Sequence, residues 1–152
     1  MTRRVVITGI GAITSLGNDV NSNWQNILAG KSGISNISHF DTERFNCRIA
    51  SSVQDFPADA ISERDLKKMD KFIAFGIIAA NEAIQDSGWK PETEQQKERT
   101  GVIVGSGIGG ITTIERTACE LKDSAHSKVS PYFIPASLIN LLSGHISINH
   151  GF

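Results

Sequence analysis

Apolar residues recur along the chain in two patterns, and each pattern predicts its own kind of element. Short β-branched runs at Val5–Thr8 and Gly101–Val104 are typical of buried strands, and residues 48–53 form a weaker strand candidate. Apolar positions three and four residues apart between Met69 and Ile84 predict a long amphipathic helix. Strands that alternate with helices in this way indicate a layered α/β fold.

Helix ends are marked by capping residues. Asn18 or Asp19 can cap a first helix, and Ser62 with Asp65 forms a capping-box pattern. A last helix, rich in leucine and isoleucine, ends at Gly151, because glycine readily adopts the left-handed conformation that follows a helix.

Three segments carry no helical pattern. Gln95–Arg99 is polar throughout, and Ser124–Lys128 is predicted to be a polar loop. Pro131 and Pro135 bracket a segment that we expect to be extended, since the residue before a proline avoids the helical conformation.

Composition narrows the class of protein. Hydrophobic residues make up 39% of the 152 residues and charged residues 20%, so the chain is expected to fold around a core. The formal charge of -1 shows no basic excess and argues against a nucleic-acid partner. No segment has the length of a membrane-spanning helix. Cys47 and Cys119 are too few for a disulfide scaffold and favour a reducing, cytoplasmic compartment, although one bridge stays open.

A glycine-rich turn between a predicted strand and a predicted helix suggests a rival function. Gly105, Gly107 and Gly110 satisfy the spacing G-x-G-x-x-G of dinucleotide-binding folds, in which the backbone approaches a pyrophosphate. That fingerprint expects an acid at the end of a second strand about 20 residues later. Asp123 has the offset but no strand before it, which favours a tight turn that allows close packing.

The ordered set of motifs along the chain resembles the β-ketoacyl-acyl-carrier-protein synthase family, in its elongating type. The resemblance covers essentially the whole chain and rests on these segments: Val5–Gly11, Ser15–Asn18, Gly30–Ile34, His39–Asp41, Lys68–Phe72, Ala83–Gly88, Gly105–Gly110, Ser130–Pro135, Asn140–His145 and Gly151.

The resemblance implies a thiolase-like layered α/β fold, of which residues 1–152 would be most of the N-terminal half. It also implies that the chain is truncated before the nucleophilic cysteine, so that no catalytic residue is assigned within it. The whole enzyme would be a cytoplasmic homodimer without a cofactor or a metal. It would condense an acyl group held on cysteine with malonyl-acyl-carrier-protein, extending a fatty acid by two carbons.

Five residues match family positions with a role. Ile108 would gate the acyl pocket, and Phe133 would reach across the dimer interface to the partner's acyl pocket. Arg64, Lys67 and Lys68 would contact the acidic acyl carrier protein. The residues themselves leave plainer alternatives open: core packing for Ile108, a satellite hydrophobic cluster for Phe133, and a solvated helix face for the basic residues.

Other reactive side chains give weaker signals. Thr117-Ala118-Cys119 imitates the family's nucleophile motif, but charged neighbours place Cys119 on an amphipathic surface helix without a base. His39, His126, His145 and His150 lack the spacing of metal ligands.

Three hypotheses remain at this stage. The first is a fragment of a condensing enzyme, which would be inactive alone. The second is a nucleotide-binding oxidoreductase domain, and the third is a non-catalytic interaction module with half a thiolase fold.

Overall fold

The computed structural model describes residues 3–124 and 128–152, which divide between two compact units. The first unit comprises Met1–Pro57 and Asn81–Gly88, and the second comprises Ala58–Ala80 and Trp89–Phe152. The helix expected between Met69 and Ile84 contributes residues to both units.

Helices dominate the described residues, and only a two-stranded antiparallel sheet accompanies them. In that sheet Ile34 lies opposite Ser51. The elements in chain order are α1 (Val20–Leu28), β1 (Ile34–Asn36), β2 (Ile49–Ser51), a 3-10 turn (Ala58–Ala60), α2 (Glu63–Leu66), α3 (Lys71–Ser87), α4 (Glu94–Glu98), α5 (Ile111–Asp123), α6 (Phe133–Ser137) and α7 (Asn140–His150).

A buried amide organises the start of the first unit. The Nδ2 atom of Asn23 donates hydrogen bonds to the carbonyl oxygens of Gly17, at 2.9 Å, and Asp19, at 2.7 Å. Its Oδ1 atom accepts a hydrogen bond from the hydroxyl of Thr14. Both polar atoms of the Asn23 side chain therefore have hydrogen-bond partners, which offsets the cost of burying Asn23.

Two carboxylates on α3 hold the N-terminal segment of the first unit. Glu82 accepts hydrogen bonds from the backbone N–H groups of Ala12, at 2.9 Å, and Val20, at 2.7 Å. Asp86 accepts one from the N–H of Ile10 at 3.0 Å. These hydrogen bonds hold the segment that follows the predicted strand Val5–Thr8.

The second unit has an apolar core. Its buried members come from three helices and are Ile73, Ala74, Ile77, Ala136, Leu142 and Ile146. Leu142 packs against the bare backbone at Gly76, where a Cβ atom would collide with its side chain. Burial of one such aliphatic side chain stabilises the fold by about 1.5–3 kcal/mol.

Asp70 connects the first turns of two helices in the second unit. Only 6% of this residue is exposed. Its Oδ1 atom accepts a hydrogen bond from the N–H of Phe72 in α3 at 3.4 Å, and its Oδ2 atom accepts one from the N–H of Thr113 in α5 at 2.8 Å. The N–H groups of a helix's first turn have no partner within the helix, so one carboxylate satisfies both ends.

Several predicted boundaries are confirmed. Asp19 caps α1 by accepting a hydrogen bond from Ser22, and Ser62 caps α2 by accepting one from the N–H of Asp65. Gly151 follows α7 with a φ of 71°.

Two predicted strands are absent from the described residues. Neither Val5–Thr8 nor Gly101–Val104 forms a ladder, and Val5 and Ile103 are 94% and 97% exposed. A strand depends on hydrogen bonds to a neighbouring strand, and none lies beside these segments in the part of the chain that the structure describes. Residues 48–53 do contain a strand, although it is short.

The polar and proline-flanked segments also differ from the prediction. The polar segment near Gln95 forms α4, which begins with a capping box between Thr93 and Gln96. The segment between the prolines forms α6 instead of an extended piece, because Pro135 lies in the first turn, where a helix needs no N–H donor. Residues 125–127 of the predicted polar loop lie outside the described residues.

Replacement of Asp70 with alanine should destabilise the chain. Asp70→Ala removes the cap of α3 and leaves the N–H of Thr113 without a partner, so the free energy of unfolding should fall by about 2 kcal/mol. Urea unfolding followed by circular dichroism measures the change. Asp123→Ala, at the exposed end of α5, is the control and should change it by less than about 0.5 kcal/mol. Equal urea midpoints for the two variants would contradict this role of Asp70.

Candidate functional site

No residue with a catalytic arrangement is found in the described ranges. Cys47 and Cys119 are both free and exposed, and Cys119 lies on α5 as the sequence predicted. Residues 3–124 and 128–152 contain no group of histidine, cysteine and acidic side chains that could hold a metal ion. His126 lies outside these ranges. Within the same ranges no helix is long and apolar enough to cross a membrane.

The glycine-rich turn is a packing element at its C-terminal end. The N–H of Gly110 donates a hydrogen bond to the carbonyl oxygen of Ser137 at 3.0 Å. A Cβ atom at position 110 would lie 2.7 Å from Cα of Ser137, and Gly109 has a φ of 82°. By contrast, a Cβ atom at Gly105 or Gly107 would meet nothing within 4 Å. The requirement for glycine is therefore set by the contact with α6.

Ile108 lies at the exposed side of this turn. Its side chain is 66% exposed, and the neighbouring N–H of Gly109 donates a hydrogen bond to the hydroxyl of Ser106 at 3.1 Å. Core packing, the plainer alternative for this residue, does not describe its environment in this chain. Its role as an acyl-pocket gate stays a prediction.

Phe133 is the first residue of α6 and is half-buried. It lines a small cavity of about 190 Å³ together with Met69, Tyr132 and Ala136, among others. This environment fits the satellite-cluster alternative within this chain. The predicted contact of Phe133 with a second subunit stays a prediction. Phe133 and Ser137 are the first and last residues of α6, and Ser137 is the residue that contacts the glycine-rich turn.

The three basic residues assigned to the carrier protein differ in their surroundings. Arg64 and Lys67 are exposed. The Nζ atom of Lys68 lies 2.9 Å from the carboxylate of Asp65 and 5.8 Å from the centroid of the Tyr132 ring. Lys68 therefore has two partners within the chain, an ion pair and a cation–π contact.

Hydrogen bonds stabilise the ionised form of the Asp65 carboxylate, which is the form that pairs with Lys68. A hydrogen bond from the Ser62 hydroxyl and then the hydrogen bond from Lys68 lower the pKa of Asp65 below its ordinary value. Asp65 is therefore ionised at neutral pH, and protonation in acid would release Lys68.

A cleft of about 520 Å³ opens beside Lys67. Residues of α2, the start of α3 and the first half of α5 line it, and they include Lys71 and Arg116. Helical spacing in the sequence predicts for Arg116 only a position on the exposed face of α5. Its proximity to Lys67 is a property of the tertiary structure.

The packing role of Gly110 predicts different effects at two glycines of the same motif. Gly110→Ala should lower the free energy of unfolding by about 1–3 kcal/mol, because the new methyl group collides with backbone. Gly107→Ala, where space is open, is the matched control and should have a far smaller effect. Thermal unfolding measures both. Micromolar binding of NAD or NADP by calorimetry, abolished by Gly107→Ala, would instead support the nucleotide interpretation.

Comparison with known proteins matches the whole of the described chain. A family model described as the N-terminal domain of β-ketoacyl synthase matches residues 2–152. The chain is 45% identical over 98% of its length to "3-oxoacyl-[acyl-carrier-protein] synthase 2" of Vibrio harveyi, and 39% identical over 98% to the protein of the same name from Staphylococcus aureus (strain COL). In each case it spans 36% of the relative's length.

Solved structures agree with this assignment. The ishigamide ketosynthase/chain length factor superposes with a TM-score of 0.77 at 29% identity, over 96% of this chain and 36% of that one. A type II PKS acyl-carrier protein in complex with its ketosynthase gives a TM-score of 0.69 at 27% identity, over 97% of this chain and 38% of the other. The chain has the thiolase-like α/β fold of these ketosynthases, and it belongs to the β-ketoacyl synthase family as an N-terminal domain.

Proposed function

We propose that this chain is the N-terminal, thiolase-like part of an enzyme that condenses acyl groups held on cysteine with malonyl-acyl-carrier-protein. The observation that carries the proposal is the 45% identity with a 3-oxoacyl-acyl-carrier-protein synthase over 98% of the chain. Since the chain spans 36% of that relative, the activity belongs to the whole protein. The product of each turnover is a ketoacyl-acyl-carrier-protein two carbons longer, with release of carbon dioxide.

The chain's own contribution is to bind the carrier and to shape the acyl pocket. Arg64 and Lys67 are exposed cations that suit an acidic carrier protein, since opposite charges raise the rate of encounter. Ile108, on a turn flanked by glycines, and Phe133, at the start of α6, supply apolar side chains for the acyl group. As the resemblance implies, the whole enzyme is a cytoplasmic homodimer that uses no cofactor.

The thiol chemistry of the reaction is expected from outside the residues described here. Condensation needs a thiolate activated by a neighbouring base and an oxyanion hole aimed at the thioester. Cys119 is exposed on α5 between charged residues, and Cys47 is exposed in a loop. Neither thiol lies in a water-excluded site of the kind that this reaction requires.

The chain alone should not catalyse condensation. Incubation with an acyl-acyl-carrier-protein and malonyl-acyl-carrier-protein should give no ketoacyl product above the rate without protein, as measured by mass spectrometry of the carrier. Cys119→Ser provides the control for adventitious thiol chemistry. Product formation that this substitution abolishes would show that Cys119 is a nucleophile and that the assignment is wrong.

Reversal of the predicted carrier-binding charges should slow association. The triple variant Arg64→Glu, Lys67→Glu, Lys68→Glu should bind an acyl carrier protein with an association rate on the order of tenfold lower at low ionic strength. The difference should shrink as salt screens the charges. Stopped-flow fluorescence with a labelled carrier measures the rate. Rates that are equal at every salt concentration would mean that these residues form only a solvated helix face.

A further inference from the structure

We propose that Ser137, the last residue of α6, is a positioning residue for the selection of the acyl group. Its hydroxyl group holds Phe133, and its carbonyl oxygen holds the glycine-rich turn that carries Ile108. This inference rests on the proposed function, which assigns Phe133 and Ile108 to the acyl group. It deepens that function by naming the residue that sets the relative position of the two side chains.

Ser137 is a buried polar residue with a defined partner on each side. Only 6% of it is exposed. Its Oγ atom donates a hydrogen bond to the carbonyl oxygen of Phe133 at 2.6 Å, and its own carbonyl oxygen accepts one from the N–H of Gly110 at 3.0 Å. A buried hydroxyl or carbonyl group that loses its partner costs free energy, so both hydrogen bonds are expected to persist. One residue therefore connects the start of α6 with the glycine-rich turn.

The contact between Ser137 and the glycine-rich turn is too close to allow much displacement. A Cβ atom at Gly109 would lie 2.8 Å from the carbonyl oxygen of Ser137, and one at Gly110 would lie 2.7 Å from its Cα atom. The N–H of Gly109 also donates a hydrogen bond to the hydroxyl of Ser106 at 3.1 Å. Because Ile108 immediately precedes Gly109, its backbone is held against α6 while its side chain stays 66% exposed.

At the other end of α6, both backbone polar groups of Phe133 are engaged. Its N–H donates a hydrogen bond to the carbonyl oxygen of Ser130 at 2.9 Å, and its carbonyl oxygen accepts the one from Ser137. Phe133 and Ser137 are four residues apart on the helix, a rise of about 6 Å. A displacement at the glycine-rich turn is therefore transmitted over a short, hydrogen-bonded distance to the residue that bears the Phe133 ring.

A second serine separates this role from the general effect of a hydroxyl group inside a helix. The Oγ atom of Ser143 in α7 donates a hydrogen bond to the carbonyl oxygen of Asn140 at 2.8 Å. This hydrogen bond has the same chemistry as that of Ser137, but it joins neither Phe133 nor the glycine-rich turn. Ser143→Ala is therefore the matched control for Ser137→Ala.

The experiment uses the whole enzyme of which this chain is the N-terminal part. The variants are Ser137→Ala, Ser137→Thr and Ser143→Ala. For each, kcat/KM of condensation is measured with acyl-acyl-carrier-proteins of increasing chain length, and the pair that the unaltered enzyme distinguishes most strongly is compared as a ratio. Because both members of the pair meet the same folded molecules, a loss of folded enzyme alone leaves this ratio unchanged. If Ser137→Ala does not fold, Ser137→Cys takes its place, since a thiol is similar in size and a weak donor.

Removal of the Ser137 hydroxyl should reduce discrimination between acyl groups. In Ser137→Ala the ratio should move toward one by about threefold or more, because apolar side chains that are held less firmly distinguish chain lengths less well. Ser137→Thr keeps the hydroxyl and should restore the ratio, and Ser143→Ala should leave it unchanged. Circular dichroism verifies the helical content of each variant.

Two results would overturn the inference while the proposed function stands. The first is a ratio in Ser137→Ala, or in its Ser137→Cys replacement, equal to that of the unaltered enzyme. The second is an equal shift in Ser143→Ala. Absence of condensation by the unaltered whole enzyme overturns the proposed function, and this inference with it.

Discussion

The second unit depends on one buried carboxylate. Asp70 satisfies N–H groups in the first turns of α3 and α5 at once, and a Cβ atom at Gly110 would lie 3.3 Å from the Asp70 Cβ atom. Helix α6 closes on the same place through the hydrogen bond from Gly110 to Ser137. The apolar core between the helices supplies most of the stabilising free energy, but it is not directional. The polar contacts determine which turns of the helices meet.

The cleft lined by Lys67 and Arg116 results from this arrangement of helices. Because the carboxylate holds the start of α5 near the end of α2, the exposed faces of both elements contribute to one opening. Lys68 contacts the Tyr132 ring, and the Asp65 carboxylate keeps the Lys68 ammonium group in place.

Local signals predicted local structure well. The caps at Asp19 and Ser62 and the glycine after α7 were found because one side chain or one φ angle determines each of them. The strand expected at Val5–Thr8 was not found, since strand formation depends on a neighbour that local sequence does not specify. The position of Arg116 in one cleft with Lys67 could not be predicted for the same reason, since it depends on the contact between Thr113 and Asp70, which are distant in sequence. Family membership, by contrast, was predicted correctly from the order of the motifs.

In the first unit, the spacing of two carboxylates on α3 matches the spacing of the backbone N–H groups that they bind. Glu82 and Asp86 stand four residues apart on a helix, a rise of about 6 Å. The N–H groups that they accept, at Ala12 and Ile10, are two residues apart, and two residues of chain reach at most about 7 Å. The two spacings therefore match in this register. A single inserted or deleted residue at Gly11 would break the match, so the length of the segment between Ile10 and Ala12 is fixed by the helix that it lies against.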